Sequence, residues 1–182
     1  TVVPAGLGAE YPSSFFWADF DGDGLIDVLV LSPQGGARLL RHEGGVDYAD
    51  VTVSAGIAGL ADEAHQAAWA DYDGDGKLDL FLASYVGTSR LLRQSGAGVF
   101  EDVTSTSGLP AKAYPIDATW FYPTVDGNPD LHLITWDGEL FFRNVGGTFQ
   151  SIALGPMRAT PGQRGDPPAT VEEARALRGL PT

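Results

Sequence analysis

Short apolar runs, each closed by a turn rich in glycine, proline or aspartate, recur along the chain and set its predicted architecture. Val28–Leu31 is apolar throughout and lies between the loop ending at Asp27 and Ser32-Pro33, the pattern of a strand buried on both faces. Ser13–Ala18 before it is short and aromatic. Ala37–His42 and Tyr48–Val53 follow it, separated by Gly44-Gly45. The same order returns in Ala67–Ala70, Leu80–Ser84, Arg90–Gln94 and Phe100–Thr104, so the pattern predicts two units of four short strands each.

Spacing makes the repeat explicit. Trp17 and Trp69 stand 52 residues apart, as do Asp27 and Asp79, and as do the Leu-Leu-Arg triplets that end at Arg41 and Arg93. A third copy follows: Trp120 and Asp130 each lie 51 residues beyond Trp69 and Asp79, and Phe141-Phe142-Arg143 matches Leu91-Leu92-Arg93. A fixed period of about 50 residues outranks any local reading and divides the chain into units at 13–57, 65–109 and 116–152. Residues 1–12 are expected to be the end of a preceding repeat or a closing strand, because Thr1–Leu7 resembles Thr52–Ile57 and, more loosely, Thr104–Leu109. Residues 153–182 form a tail rich in proline and glycine, with one short helix expected at Thr170–Arg178, capped by Thr170 and Glu173 and ended by Gly179.

Between the first two strands of each intact unit lies a loop dense in carboxylates: Asp19-Phe20-Asp21-Gly22-Asp23-Gly24-Leu25-Ile26-Asp27, and Asp71-Tyr72-Asp73-Gly74-Asp75-Gly76-Lys77-Leu78-Asp79. Like charges packed this closely repel unless a cation sits among them. Calcium, a hard ion that takes six to eight oxygens in flexible geometry, fits Asp19, Asp21, Asp23 and Asp27, with the backbone carbonyl of Leu25. Asp71, Asp73, Asp75 and Asp79, with the carbonyl of Lys77, form the second set, so two ions per chain are expected. In the third unit Tyr122 and Thr124 replace the first two aspartates; Asp126 and Asp130 remain, a degenerate site not expected to hold metal. An EF-hand fails on two counts: its bidentate Glu at the twelfth position is replaced by Val30 and Leu82, and no helix flanks either loop.

The two Asp-x-Asp-Gly-Asp-Gly-x-x-Asp loops, each followed by a buried strand, resemble the FG-GAP or VCBS repeats, the calcium-binding blades of integrin-alpha-type β-propellers. The resemblance covers about residues 13 to 150 and implies an all-β fold of propeller blades with the calcium loops on one rim. Propellers close with about four to eight blades, so three units are expected to belong to a larger ring or to one closed by oligomerisation. The family also implies an extracellular, cell-surface or periplasmic setting.

Charge and composition narrow the function further. The formal net charge of −13 argues against a nucleic-acid groove and against an anionic membrane surface. Cysteine is absent, so calcium loops would do the work of disulfides, and no apolar run is long enough to cross a bilayer. Trp17, Trp69 and Trp120 recur with the period and are expected to pack between units. Trp136, Tyr85 and Tyr114 break the period and are the better candidates for a ligand surface. The recurring Arg41, Arg93 and Arg143 are expected in ion pairs or backbone hydrogen bonds. Of His42, His65 and His132, only His65, beside Asp62 and Glu63, is a candidate base for catalysis. The tripeptide Arg164-Gly165-Asp166 is too short to carry an assignment.

The leading expectation is a calcium-stabilised module that binds a protein or a carbohydrate, or holds an assembly together. The alternatives are an ancillary or catalytic part of a secreted hydrolase or lyase, and a purely structural domain.

Overall fold

The computed structural model describes residues 14–32, 36–61, 63–122 and 127–152. The expectations for residues 1–12, Asp62, Thr124, Asp126, the tail helix and Arg164-Gly165-Asp166 lie outside the described residues. Within them the protein is all-β, twelve strands forming three four-stranded antiparallel sheets in sequence order. The first contains β1 Ser14–Ala18, β2 Asp27–Leu31, β3 Ala37–His42 and β4 Tyr48–Asp50. The second contains β5 Gln66–Ala70, β6 Asp79–Ala83, β7 Arg90–Gly96 and β8 Val99–Asp102. The third contains β9 Pro115–Phe121, β10 Asp130–Thr135, β11 Gly138–Val145 and β12 Thr148–Ile152. This is the arrangement of propeller blades, in which successive first strands touch: β1 meets β5, and β5 meets β9.

Alternation decides which face meets which neighbour, because residues paired across antiparallel strands share a face. Phe16, Leu29 and Leu39 are cross-strand partners in the first sheet. They face Leu80, Leu82 and Leu92 of the second, and together make one core. Phe81 and Leu91, on the opposite face of the second sheet, join Ala118, Leu131, Leu133 and Phe142 of the third in another. The middle sheet is therefore covered on both sides, and β6 is buried at every residue.

The outer strands end earlier than expected. Tyr48–Val53 and Phe100–Thr104 read as strands, but β4 stops at Asp50 and β8 at Asp102. The cause is local: the carboxylate of Asp50 accepts both the backbone N–H and the hydroxyl of Thr52, at 3.1 and 2.6 Å, which turns the chain out of the ladder. Asp102 and Thr104 repeat the device. Each freed linker then hydrogen-bonds the last strand of the following sheet: Phe100 N–H donates to the carbonyl of Ala55 at 2.9 Å, and Phe149 N–H to that of Ser107 at 2.7 Å.

Two of the three periodic tryptophans pack between sheets as expected. Trp69 stacks on Phe20 with centroids 6.3 Å apart, and Trp120 on Tyr72 at 6.5 Å. Trp17 does not, being 58% exposed beside Phe15, because among the described residues no sheet stands on its side of the first unit. Two of the three periodic arginines are paired as expected, Arg41 with Glu43 at 2.6 Å and Arg93 with Glu101 at 3.2 Å, while Arg143 is exposed and makes no ion pair among the described residues.

Candidate functional site

Each aspartate loop joins the end of one strand to the start of the next across a tight hairpin, Asp19 to Asp27 between β1 and β2, Asp71 to Asp79 between β5 and β6. Glycine is required at the turns. Gly22, Gly24, Gly74 and Gly76 all have φ between +76° and +86°, a conformation that costs an L side chain about 1–2 kcal/mol. The remaining loop residues fold back on themselves. Gly24 N–H donates to Asp19 Oδ2 at 3.0 Å, and Gly76 N–H to Asp71 Oδ2 at 2.9 Å.

The result gathers carboxylates. Oxygens of Asp19, Asp21 and Asp27 lie within 4.8 Å of one another, as do those of Asp71, Asp73 and Asp79. Asp19 Oδ1 is shut off from water and has no hydrogen-bond partner among the described residues. A buried carboxylate oxygen with no donor, facing two more carboxylates, is what a hard cation satisfies, so the residues present fit calcium. Asp23 and Asp75 stand outside these groups of three. They accept the N–H of Leu25 at 2.8 Å and of Lys77 at 2.9 Å, and the Lys77 ammonium pairs with Asp75. That contact holds the Asp75 carboxyl below its usual range.

The ninth position of each loop has a second duty. Asp27 and Asp79 are fully buried. Asp27 accepts Phe20 N–H at 3.0 Å and His42 N–H at 2.8 Å; Asp79 accepts Tyr72 N–H at 3.0 Å and Gln94 N–H at 2.8 Å. These carboxylates tie the loop to the third strand. Burial pushes Asp27 up from its ordinary value and Asp79 up to about 7, in spite of the two N–H donors each receives. A bound cation would reverse that tendency by favouring the charged form. Asp130 keeps the structural duty in the third unit, accepting Asn144 N–H at 2.8 Å.

The non-periodic aromatics fall at the other end of the sheets. Since the loops follow the ends of β1 and β5, the opposite rim carries the starts of β5 and β9 and the ends of β6 and β10. Tyr85 follows β6, Trp136 follows β10, and Tyr114 precedes β9. Tyr114 is 41% exposed, with φ of 49°, the one non-glycine residue at positive φ among the described residues. His65 stands on the same rim. Its Nε2 lies 3.1 Å from the carbonyl of Ile116, and its ring packs on Tyr85 at 4.2 Å, joining the second unit to the third. His132 is on a sheet face, stacked on Phe141 and 3.3 Å from Glu139.

Two features escaped sequence reasoning. The second loop position, Phe20 or Tyr72, is the aromatic on which the next unit's tryptophan stacks. The residue after the second and third periodic arginines, Gln94 or Asn144, is a buried amide bridging two units. A polar side chain following the arginine in every copy, with glycine soon after, was the available signal.

A family model described as an FG-GAP-like repeat matches residues 19–82 and 71–122. Comparison with curated proteins gives no match. Among solved structures, an Agrocybe aegerita lectin described by its specific recognition of non-reducing terminal N-acetylglucosamine is 21% identical, with a TM-score of 0.47. The alignment covers 76% of this chain and 36% of that one, so the chain spans little more than a third of that protein, and the likeness is too slight to carry an argument.

Proposed function

Because this chain belongs to the FG-GAP-like repeat family, which accounts for its tandem aspartate loops, we propose that it is a calcium-stapled β-propeller module whose work is binding, with the ligand face on the rim opposite the metal. The observation that carries this reading is the placement of Tyr85, Tyr114 and Trp136 on the rim away from both loops, Tyr114 exposed and the other two half-buried. Tyr114 supports it further. A side chain held exposed on a left-handed backbone stores strain, which proteins concentrate at binding and catalytic positions. Protein and carbohydrate ligands are both served by exposed aromatic rings, whose faces and edges stack and whose hydroxyls hydrogen-bond.

Calcium in this reading is structural. It neutralises Asp19, Asp21 and Asp27, and Asp71, Asp73 and Asp79, at hairpins that would otherwise repel themselves open. Leu25 and Lys77 would add backbone carbonyls, and Asp23 and Asp75 would complete the sets. The compartment is one rich in calcium, outside the cytoplasm. Closure of the ring uses the Trp17 face, which has the residue pattern of the buried Trp69 and Trp120 faces, against a further unit from a second copy or from a longer chain.

Three measurements test the proposal. Native mass spectrometry in low-millimolar calcium is expected to show two ions per chain, and a dimer if a second copy closes the ring. A glycan array and a pull-down, each run with the wild type and with Tyr114→Ala, are expected to give a signal that the variant loses; if both stay blank for the wild type, the purely structural reading stands instead.

A further inference from the structure

The two aspartate loops are joined by an unbroken run of buried hydrogen bonds. Asp27 Oδ2 accepts Phe20 N–H at 3.0 Å, and the carbonyl of Phe20 accepts the side-chain amide of Gln94 at 2.9 Å. Gln94 in turn gives its backbone N–H to Asp79 Oδ1 at 2.8 Å. The run continues in the same form: Asp79 Oδ2 accepts Tyr72 N–H, the carbonyl of Tyr72 accepts the amide of Asn144 at 2.6 Å, and Asn144 N–H goes to Asp130 Oδ1 at 2.8 Å. Three kinds of link alternate: across an aspartate loop, between neighbouring strands of one unit, and, through the two side-chain amides, from one unit to the next.

The two amides leave no freedom at the joints. Gln94 and Asn144 are 2% and 1% exposed, and each satisfies both ends of its side chain. Gln94 Nε2 also donates to the carbonyl of Leu78 at 2.8 Å, while its Oε1 accepts Gly98 N–H at 3.0 Å. Asn144 donates to the carbonyl of Pro129 at 3.2 Å and accepts Gly147 N–H at 2.8 Å. A flipped amide would set oxygen against carbonyls and nitrogen against an N–H, so the orientation is fixed. Breaking any of these bonds in the interior would strand a desolvated polar group.

We propose that Gln94 couples the two loops, so that a cation in one favours a cation in the other, and that Asn144 carries the same tie to the third unit. The proposal rests on the reading that both loops take calcium. An empty loop relaxes under the repulsion of its carboxylates, and relaxation at Asp27 displaces the Phe20 peptide on which Gln94 hangs. The backbone of Gln94 holds Asp79, so the second loop feels the first. Linkage makes the effect reciprocal.

The test follows calcium binding to the full chain by residue-resolved amide shifts, using Gly24 as reporter of the first loop and Gly76 of the second. Disabling the first loop with Asp21→Ala is expected to weaken calcium at the second by about 5- to 10-fold. In a Gln94→Met background, which keeps the volume and loses the amide, the same change is expected to leave the second loop unaffected. An affinity at Gly76 indifferent to Asp21→Ala in the native background overturns the coupling while leaving the metal reading intact. A loss that persists beside Gln94→Met overturns the role of Gln94. Should Gln94→Met fail to fold, Asp73→Ala serves instead: because the coupling is mutual it must weaken calcium at the first loop too, and an affinity at Gly24 indifferent to it rejects the coupling. A wild type that takes up no calcium overturns both readings at once.

Discussion

Trp69 of the second unit lies over Phe20 of the first, rings nearly parallel and centroids 6.3 Å apart, with Phe100 closing the cluster at 6.1 Å from Phe20. Phe20 occupies the second position of an aspartate loop. The side chain between the first two carboxylates is therefore a core residue of the neighbouring interface, and aspartate loop and inter-unit packing are built from adjacent positions.

Truncation at this point should be costly. Phe20→Ala empties a buried aromatic site and is expected to destabilise the chain by about 3–5 kcal/mol, read from urea unfolding. In the monomeric chain Trp17→Ala, at the equivalent tryptophan with no facing sheet among the described residues, is expected to change stability by under about 0.5 kcal/mol. Similar losses for the two variants would mean that Trp17 is covered in solution.

Glycines at positive φ should divide by what surrounds them. A methyl group at Gly59 meets open space, so Gly59→Ala is expected to cost only its backbone strain, about 1–2 kcal/mol. At Gly108 the added carbon would fall on the carbonyl oxygen of Phe149, the same residue whose N–H binds Ser107. Gly108→Ala should then cost clearly more, with Phe149 among the first amides to exchange in a hydrogen-exchange experiment.

The outer-strand clips are also testable. Thr52 Oγ1 accepts Leu39 N–H at 2.9 Å while donating to Asp50, and Thr104 does the same for Leu91 at 3.0 Å. Thr52→Val keeps the shape and strands a buried N–H, so a loss of about 1–3 kcal/mol is expected. Faster exchange of the Leu39 amide should accompany it; an unchanged rate would assign the clip no role.

Acidity should act in opposite directions with and without calcium. A carboxyl whose folded pKa exceeds its unfolded one binds more protons when folded, so its contribution to stability falls as pH rises between the two values. For Asp79, raised by burial to about 7, the window runs from about pH 4 to 7. The calcium-free chain is expected to melt at higher temperature at pH 5 than at pH 7.5, and Asp79→Asn should flatten that slope. With calcium present the order should reverse, because protons compete with the cation for the same oxygens. Asp50 and Asp102 do not confuse the window. Burial pushes each up, but the hydroxyl and N–H of Thr52 or Thr104 and the guanidinium of Arg38 or Arg90 outweigh it, so their stabilisation is lost only below about pH 4.

Local chemistry was legible along the chain. Aspartates alternating with glycines must form a tight acidic hairpin, and apolar runs at a fixed period must form the strands on either side, because both depend on neighbours within a few residues. Three units, their strand order and the two aspartate loops therefore follow from sequence alone. What the tertiary structure decided are the contacts between residues of different units. That Phe20 belongs to the core, that Gln94 and Asn144 bridge 74 and 72 residues to the carbonyls of Phe20 and Tyr72, and that Trp17 stands exposed where Trp69 and Trp120 are covered are consequences of which sheet faces which. An amide or an aromatic ring has the same local preferences whether it faces water or another unit. Only the presence of a facing surface gives it a partner, and that depends on how the sheets stack.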